Sequence, residues 1–567
     1  MGTGKVQRIV VVGGSAAGPK AAAKARRMDQ HADITIIQKA PDLSMASCGY
    51  PYYVGGVFDN RNQLLCTPTG VVRDPTFFLN AKGIEAMTET EALAIDRERR
   101  VVKCKRLTDG EELEVPYDNL VLTTGARPLM PPVPGTDLEG ITTLQSMRDA
   151  DYLRKIRDEG KVKRAVVVGG GLIGVETCEA LQLAGVQITV IEMLPQILTF
   201  LDWELARLVE NHMKAQGAHV VTENAVSAFL GEDGVLTGVK LANGTELECQ
   251  LAVVATGVRP NGELARDAGL DVGDRGGVTV NEFLQTSDPD IYAAGDCVEI
   301  PHLITGDKVH APYGDLANLE GRIVGQNVVT GPKAIFPGTI QTGVCKVFEF
   351  TAGATGLSEE SARKAGLDVI SATVAAPDRP GFMGGKLLVI KVVAEKDTGR
   401  LLGMQCAGPG DASKRIATAA MAITAGMTVT DLGVADLPYA PPFSPAVDNF
   451  IAAAHVLENK MAGRMTGISA TEVKKRVDAG EDLFLLDARG PDEFEEMRLG
   501  IGEVLIPLGA LRKRMGELPE DKGSEIICFC KISLRGYEAA SLLEAHGWTN
   551  VKVMEGGIMA WPFGREK

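Results

Sequence analysis

Among its ten cysteines the chain has no Cys-x-x-Cys pair, and its nearest two, Cys528 and Cys530, have the wrong spacing for a zinc ligand pair. A structural zinc site is therefore not expected. Scattered over 567 residues, the cysteines do not form the disulfide framework of a small secreted domain either. No apolar run approaches the roughly 18 residues a membrane-spanning helix needs. The opening "MGTGKVQRIVVVGG" enters a strand directly, without the charged and apolar blocks of a signal peptide. There is no basic excess: the net charge of −15 argues against nonspecific nucleic-acid binding. These absences point to a cytoplasmic enzyme with neither membrane nor nucleic acid as partner. Cys48, in "SMASCGYPYY", also lacks a second cysteine nearby: positions 43 and 53 hold Leu and Tyr.

What the sequence does have is length for about three or four domains and 65 glycines without a collagen-like period. Two similar units stand out. "RIVVVGGSAAGPKAAAKARR" and "KRAVVVGGGLIGVETCEAL" each read as an apolar strand, a glycine loop and a helix. Each has a matching exit, "DNLVLTTGARP" with Thr124 and Gly125, and "LAVVATGVRP" with Gly257. Duplicated entries and exits predict two Rossmann-like domains. After about residue 337, "VCKVFEF", "LLVIKVVAE" and "LLGMQCAG" read as alternating antiparallel strands before a helix, an α+β domain. "KMAGRMTG" reads as a linker to a small α/β domain over 467–567.

In the second loop Gly169, Gly171 and Gly174 match G-x-G-x-x-G, and Glu192 ends the following strand. Glycines permit the tight turn and the approach of a pyrophosphate, the helix N-terminus faces the phosphates, and the acid suits a ribose 2′-hydroxyl while repelling a 2′-phosphate. NADH is therefore the expected nucleotide. The first loop is less regular: Gly13 and Gly18 keep the outer positions, Ser15 takes the middle one, and Gln38, not an acid, ends the second strand, "ITIIQK", with Lys39 beside it. Gly295-Asp296, at a strand end in "IYAAGDC", supplies a carboxylate able to hold a flavin's ribityl chain.

Together these motifs resemble the two-dinucleotide-domain flavoprotein disulfide reductases, and "ASCGYPYYVGG" with "LPYAPPFS" resembles their coenzyme A disulfide reductase branch. The resemblance runs to about residue 460. It implies FAD bound by residues 1–150 and 280–336, NADH by 151–279, and a dimerisation domain over 337–460 that makes a homodimer. It further implies that Asp296 contacts the ribityl chain, that Glu176 lies near the nicotinamide, and that Tyr439 reaches the neighbouring subunit's site. Where the branch has paired tyrosines this chain reads "DRPGFMGG", with Phe382 and Met383. Lys20, Lys24 and Arg27, at i, i+4 and i+7 on one helix face, are candidates for the phosphates of coenzyme A; a solvated surface is the other reading.

Cys48 precedes a helix start with Pro51 in its first turn, a setting expected to favour the thiolate. Family resemblance lays it against the flavin. Without a second cysteine its oxidised form must be a mixed disulfide, a persulfide or a sulfenic acid. The first two imply substrates such as coenzyme A disulfide, coenzyme A persulfide or polysulfide. The third implies an NADH oxidase, peroxidase or quinone reductase, but those relatives carry a histidine where this chain has Ala16. A redox sensor or sulfur carrier is a further alternative.

The C-terminal segment resembles a single-domain rhodanese: "LLDARGPDEFEE", then "CKISLRG", then "VMEGGIMAW". Successive amides of a loop between strand and helix form an anion cradle. Cys530 sits at its base and Arg535 at its rim, with four residues between them, one fewer than in the related phosphatases. Ser533 replaces a common glycine and Arg498 stands in place of a usual His-Ile-Pro-Gly run. Asp487 and Arg489 read as structural and Cys528 as core. The expected architecture is α/β: two Rossmann-like FAD and NAD domains, an α+β dimerisation domain and a rhodanese-like domain.

Overall fold

The computed structural model describes residues 6–567. Two compact units account for it. The first runs to Met193 and resumes over Asn224–Thr339; the second comprises Leu194–Glu223 and Ile340–Lys567. No helix among the described residues is long and apolar enough to cross a membrane.

The first unit is built on two parallel sheets. In one, the strands Ile291–Ala293, Asn119–Leu122, Arg8–Val12, Asp33–Ile37 and Glu85–Met87 lie side by side in that order. β-branched residues give Arg8–Val12 its strand preference, and a sheet covered on both faces buries Ile9, Val10, Val11 and Val12 together. The helix Ala17–Met28 turns Ala17, Ala21, Ala22 and Ala25 inward. Helix Gly314–Thr330 packs against it closely enough that a Cβ on Gly321 would sit 2.4 Å from the Ala17 carbonyl oxygen. The second sheet sets Gln187–Ile191, Arg164–Val168, Leu251–Val254 and Ile141–Thr142 side by side, also parallel. The two similar exits pair with each other: Ala126–Pro128 runs antiparallel to Val258–Pro260, and Thr124 Oγ1 donates to the Asn261 carbonyl at 2.7 Å.

The second unit holds an antiparallel sheet in the order Gly343–Val347, Phe350–Gly356, Leu401–Gly408, Leu387–Glu395 and Val369–Pro377. The expected alternation does not appear in its central strands. Leu401–Gly408 is buried at every position, and Leu387–Glu395 at all but its ends. Helices Ala412–Thr424, Asn449–Met461 and Trp203–Ala215 pack onto the sheet and remove its solvent face. A parallel sheet follows in the order Gly467–Ile468, Val551–Met554, Ile526–Phe529, Phe484–Asp487 and Val504–Leu505, with its own core around Leu486, Ile526, Leu543 and Trp548.

Candidate active site

Both glycine loops sit where a parallel strand ends and a helix begins. Gly13 has φ +111°, and a Cβ there would meet the Thr123 carbonyl oxygen at 2.0 Å; one on Gly18 would meet the Gly13 oxygen at 1.9 Å. Only glycine closes this turn. The acceptor after the second strand anchors each loop in the same way: Gly14 N donates to Gln38 Oε1 at 2.8 Å, and Gly170 N to Glu192 Oε2 at 2.7 Å. Gln38 also donates to the Asp42 carbonyl, while Lys39 pairs with Glu91 at the surface. The amides of Ser15 and Ala16, and those of Gly171 and Leu172, donate to no partner among the described residues. Glycines that bar any side chain and free amides at a helix start fit two dinucleotides with their pyrophosphates. The Asp296 carboxyl, half-buried and without a hydrogen bond among the described residues, fits the polyol of a flavin; burial pushes it up from the ordinary Asp range. Gly295 takes φ +82° there, its amide held by Glu320 Oε2 at 2.6 Å.

Cys48 lies in the short turn Ser47–Gly49 that leads into helix Tyr50–Gly55. All ten cysteines are free, and Cys48 is the one exposed among them. A Cβ on Gly314 would come within 3.4 Å of its sulfur, so glycine there leaves the sulfur room. The expectation of a favoured thiolate is corrected: the Cys48 thiol is pushed up, by burial first and then by the Glu176, Asp296 and Asp315 carboxylates. The residue reaches solvent, yet the walls around its sulfur desolvate it, and a helix of six residues does not offset them. Glu176 is not a solvated helix residue. It is half-buried, accepts from Tyr52 Oη at 3.2 Å, and burial raises it to about 7. Asp315 and Glu320 were missed in the sequence, where nothing distinguishes them from solvated helix residues. Lys20, Lys24 and Arg27 lie on Ala17–Met28 and form no ion pair among the described residues. No group of three or more metal-ligating side chains is found among those residues.

In the second unit, Tyr439 is 55% exposed in an irregular segment. Phe382 lies in the turn Gly381–Met383. A buried cation ties the segments carrying these two aromatics together. Arg415 donates to the Asp378 carbonyl at 2.8 Å and pairs with Asp448 at 2.8 Å, while Ser444 Oγ donates to the same Asp448 carboxylate at 3.0 Å. Arg379 donates across to the Pro442 carbonyl at 3.2 Å.

Cys530 directly follows the strand Ile526–Phe529 and is fully buried, ahead of helix Leu534–Ala545. The amides of Lys531, Ile532 and Ser533 donate to no partner among the described residues, which leaves a cradle of donors beside the cysteine. The turn after Val551–Met554 supports the loop from behind: Ile558 N donates to the Cys530 carbonyl at 3.0 Å and Met559 N to that of Lys531 at 3.1 Å. Ser533, flagged as standing for glycine, does take the left-handed conformation, φ +82°, and its Oγ donates to the Met554 carbonyl at 3.0 Å. Arg535 is not a lone rim cation. Glu493 holds both its Nη atoms, at 2.6 and 2.8 Å, and is itself held at about 2 by that pairing. Asp487 and Arg489 form a fully buried pair at 2.7 Å whose remaining donors close on the Glu493 and Met497 carbonyls, a structural arrangement. Cys528 lies in the core with Leu486, Ile526 and Val553.

These features match known families along nearly the whole chain. Residues 7–308 match the pyridine nucleotide-disulphide oxidoreductases, 342–450 the dimerisation domain of the same group, and 469–562 the rhodanese-like domain. The chain belongs to the pyridine nucleotide-disulphide oxidoreductase family, enzymes that use FAD and NAD(P)H, and carries a rhodanese-like domain behind that core. Among relatives, the NAD(P)H coenzyme A polysulfide/persulfide reductase of Pyrococcus horikoshii is 34% identical over 460 residues, 81% of this chain and 100% of that protein. The NADH oxidase of Methanocaldococcus jannaschii is 31% identical, again over 81% and 100%. Of solved structures, the NAD-dependent persulfide reductase from A. fulgidus superposes with a TM-score of 0.93 at 42% identity, covering 98% of this chain and 100% of its own. The reduced CoADR-RHD of Bacillus anthracis gives 0.91 at 33%, covering 98% of both chains.

Proposed function

We propose that the protein reduces sulfur–sulfur bonds carried by small thiols, namely coenzyme A persulfide, polysulfide or coenzyme A disulfide, at the expense of NADH, with Cys48 as its single redox cysteine. One observation carries the proposal: Cys48 is exposed and free, near enough to Glu176 and Asp296 for their charges to act on it, and it has no second cysteine with which to close a disulfide. Bound FAD supplies the two-electron link to NADH. Gly13, Ser15, Gly18, Gln38, Thr124, Gly125, Gly295 and Asp296 are its proposed contacts, with Lys39 at the periphery; Gly169, Gly171, Gly174, Glu176, Glu192 and Gly257 are those of NADH. The Cys48 thiolate attacks the inner sulfur of a persulfide R–S–SH and forms Cys48–S–S–R, and HS⁻ leaves. Two electrons and one proton then return Cys48–S⁻ and R–SH. Cys530 takes sulfane sulfur in its cradle and passes it on, by way of coenzyme A, to the reductase site.

Tyr439, in a homodimer, orients or protonates the leaving thiolate. Phe382 and Met383 bring no hydroxyl there, which favours persulfide or polysulfide over coenzyme A disulfide. Lys20, Lys24 and Arg27, free of ion pairs, suit the phosphates of coenzyme A. The domain limits given above and a cytoplasmic location belong to the same proposal. Ala16 leaves no acid–base group beside the flavin loop and so counts against an oxidase or peroxidase. NADH-dependent sulfide release is the test: Cys48→Ser abolishes it, while Cys530→Ser loses sulfurtransfer and keeps reduction of added persulfide. Release unchanged in Cys48→Ser ends the proposal.

A further inference from the structure

The cradle around Cys530 carries an uneven set of charges. Arg535, the cation at the rim of the loop, is already taken up by Glu493 through two hydrogen bonds of 2.6 and 2.8 Å. Glu493 is fixed in turn by a contact from the Gly490 amide at 3.2 Å. Paired to a guanidinium, this carboxylate keeps its charge across the working pH range. Arg489, below, is spent on Asp487. The loop's other cation, Lys531, is exposed and forms no ion pair among the described residues. Among the described residues of the loop, Lys531 is thus the one cation without a carboxylate partner. The rim is also partly apolar: Leu534 is 60% exposed, and Ile532 is half-buried beside it.

We propose that Glu493 is a specificity-determining residue of the sulfurtransferase site, selecting monoanionic organic sulfur donors, above all organic persulfides, against inorganic dianions such as thiosulfate. The inference rests on the rhodanese reading of Cys530 given above. A second negative charge on the donor meets the Glu493 carboxylate at the rim and finds no free guanidinium to answer it, whereas an alkyl group finds Leu534. The transfer is the same for every donor. With a persulfide, Cys530–S⁻ attacks the outer sulfur of R–S–SH, giving Cys530–S–S⁻ and R–SH as the proton moves to the departing thiolate. With thiosulfate the same attack gives Cys530–S–S⁻ and sulfite, and with methanethiosulfonate it gives methanesulfinate. No external oxidant or reductant is consumed. Cyanide regenerates Cys530–S⁻ as thiocyanate forms.

Methanethiosulfonate and thiosulfate present the same outer sulfur and differ by one charge and a methyl group, so they isolate the effect. Thiocyanate formation is measured for both donors with the full chain, alongside the mass gain of one sulfur on Cys530. The wild type is expected to show at least a tenfold higher kcat/KM for the monoanion. Glu493→Gln should raise the thiosulfate value about tenfold and narrow that ratio, a change equivalent to about 1.4 kcal/mol; Glu493→Asp should keep the wild-type preference. A wild type that uses thiosulfate as well as methanethiosulfonate overturns the inference whether or not the variants fold. An unchanged ratio in Glu493→Gln, with Cys530 still loaded, overturns it too. Failure of Cys530 to load from either donor overturns the rhodanese reading and this inference with it.

Discussion

Glu320 shows how far one side chain can depart from its ordinary behaviour when the fold needs it buried. Only 1% exposed, it accepts the Gly295 amide that closes the turn before Asp296. Burial pushes its carboxyl up to about 8, the Gly295 hydrogen bond opposing and the Asp296 and Asp315 charges adding. The native protein thus keeps a proton that an unfolded Glu gives up near pH 4.3. The stability this group contributes is complete below that pH and is lost as pH climbs towards 8, a swing of a few kcal/mol. Glu320→Gln keeps the acceptor without the charge. Its thermal midpoint should exceed that of the wild type at pH 9, and the gap should close near pH 5; a gap that does not change with pH contradicts the assignment. Little of this was legible beforehand. Gly13, Gly18 and Gly174 announced themselves because no other residue fits their turns, and Ser533 because it broke a pattern. Glu320, Asp315 and Glu493 carry no such mark, since what makes them special is supplied by chain distant in sequence.

Strands and helices at the Cys530 side are tied together by one ion pair. Lys460, in the last turn of Asn449–Met461, contacts Glu555 and the Ser371 carbonyl, and Glu555 Oε2 accepts the Thr373 amide at 2.8 Å. Glu555 immediately precedes Gly556 and Gly557, the turn under Cys530. A latch buried at its Glu555 end and half-buried at Lys460 therefore joins the sheet edge Val369–Pro377 to the cradle. Lys460→Met leaves the carboxylate of Glu555 without its cation and should cost about 3–5 kcal/mol. The cleavage rate of the 462–466 segment under limited proteolysis reads this out: faster cutting is expected, and an unchanged rate contradicts the latch. Element types were largely legible, because the strand–glycine–helix units are local and repeated. Burial of the central antiparallel strands was not. "LLVIKVVAE" contains a lysine that a period-two reading turns to solvent. In the fold Lys391 is buried among Asp202, Glu204 and Glu359 at 2.6–2.9 Å, because helix Trp203–Ala215 brings its acidic first turn to that face.

On the scale of the molecule, the second unit displays Phe382, Val434, Tyr439 and Phe443 largely exposed, and the match over 342–450 is to a dimerisation domain. Exposed apolar side chains in such number are a usual mark of an interaction surface. The homodimer proposed here predicts about twice the 60.1 kDa chain mass by light scattering, and a monomer at micromolar concentration contradicts it. In that dimer Tyr439→Phe should lower kcat for persulfide reduction about tenfold while leaving flavin content unchanged. Domain order was legible from composition and motifs along the chain, whereas the exposed apolar surface that suits the proposed dimer, with Phe382, Val434 and Phe443, follows no local pattern.

The most direct measurement is peptide mass analysis of the purified flavoprotein after limited turnover with NADH and a persulfide or polysulfide. Cys48 is predicted to carry a thiol, an extra sulfur or coenzyme A acquired from the substrate, with sulfide released only when Cys48 is intact. Cys48 joined to another cysteine of its own chain, or full sulfide release by Cys48→Ser, would contradict the account.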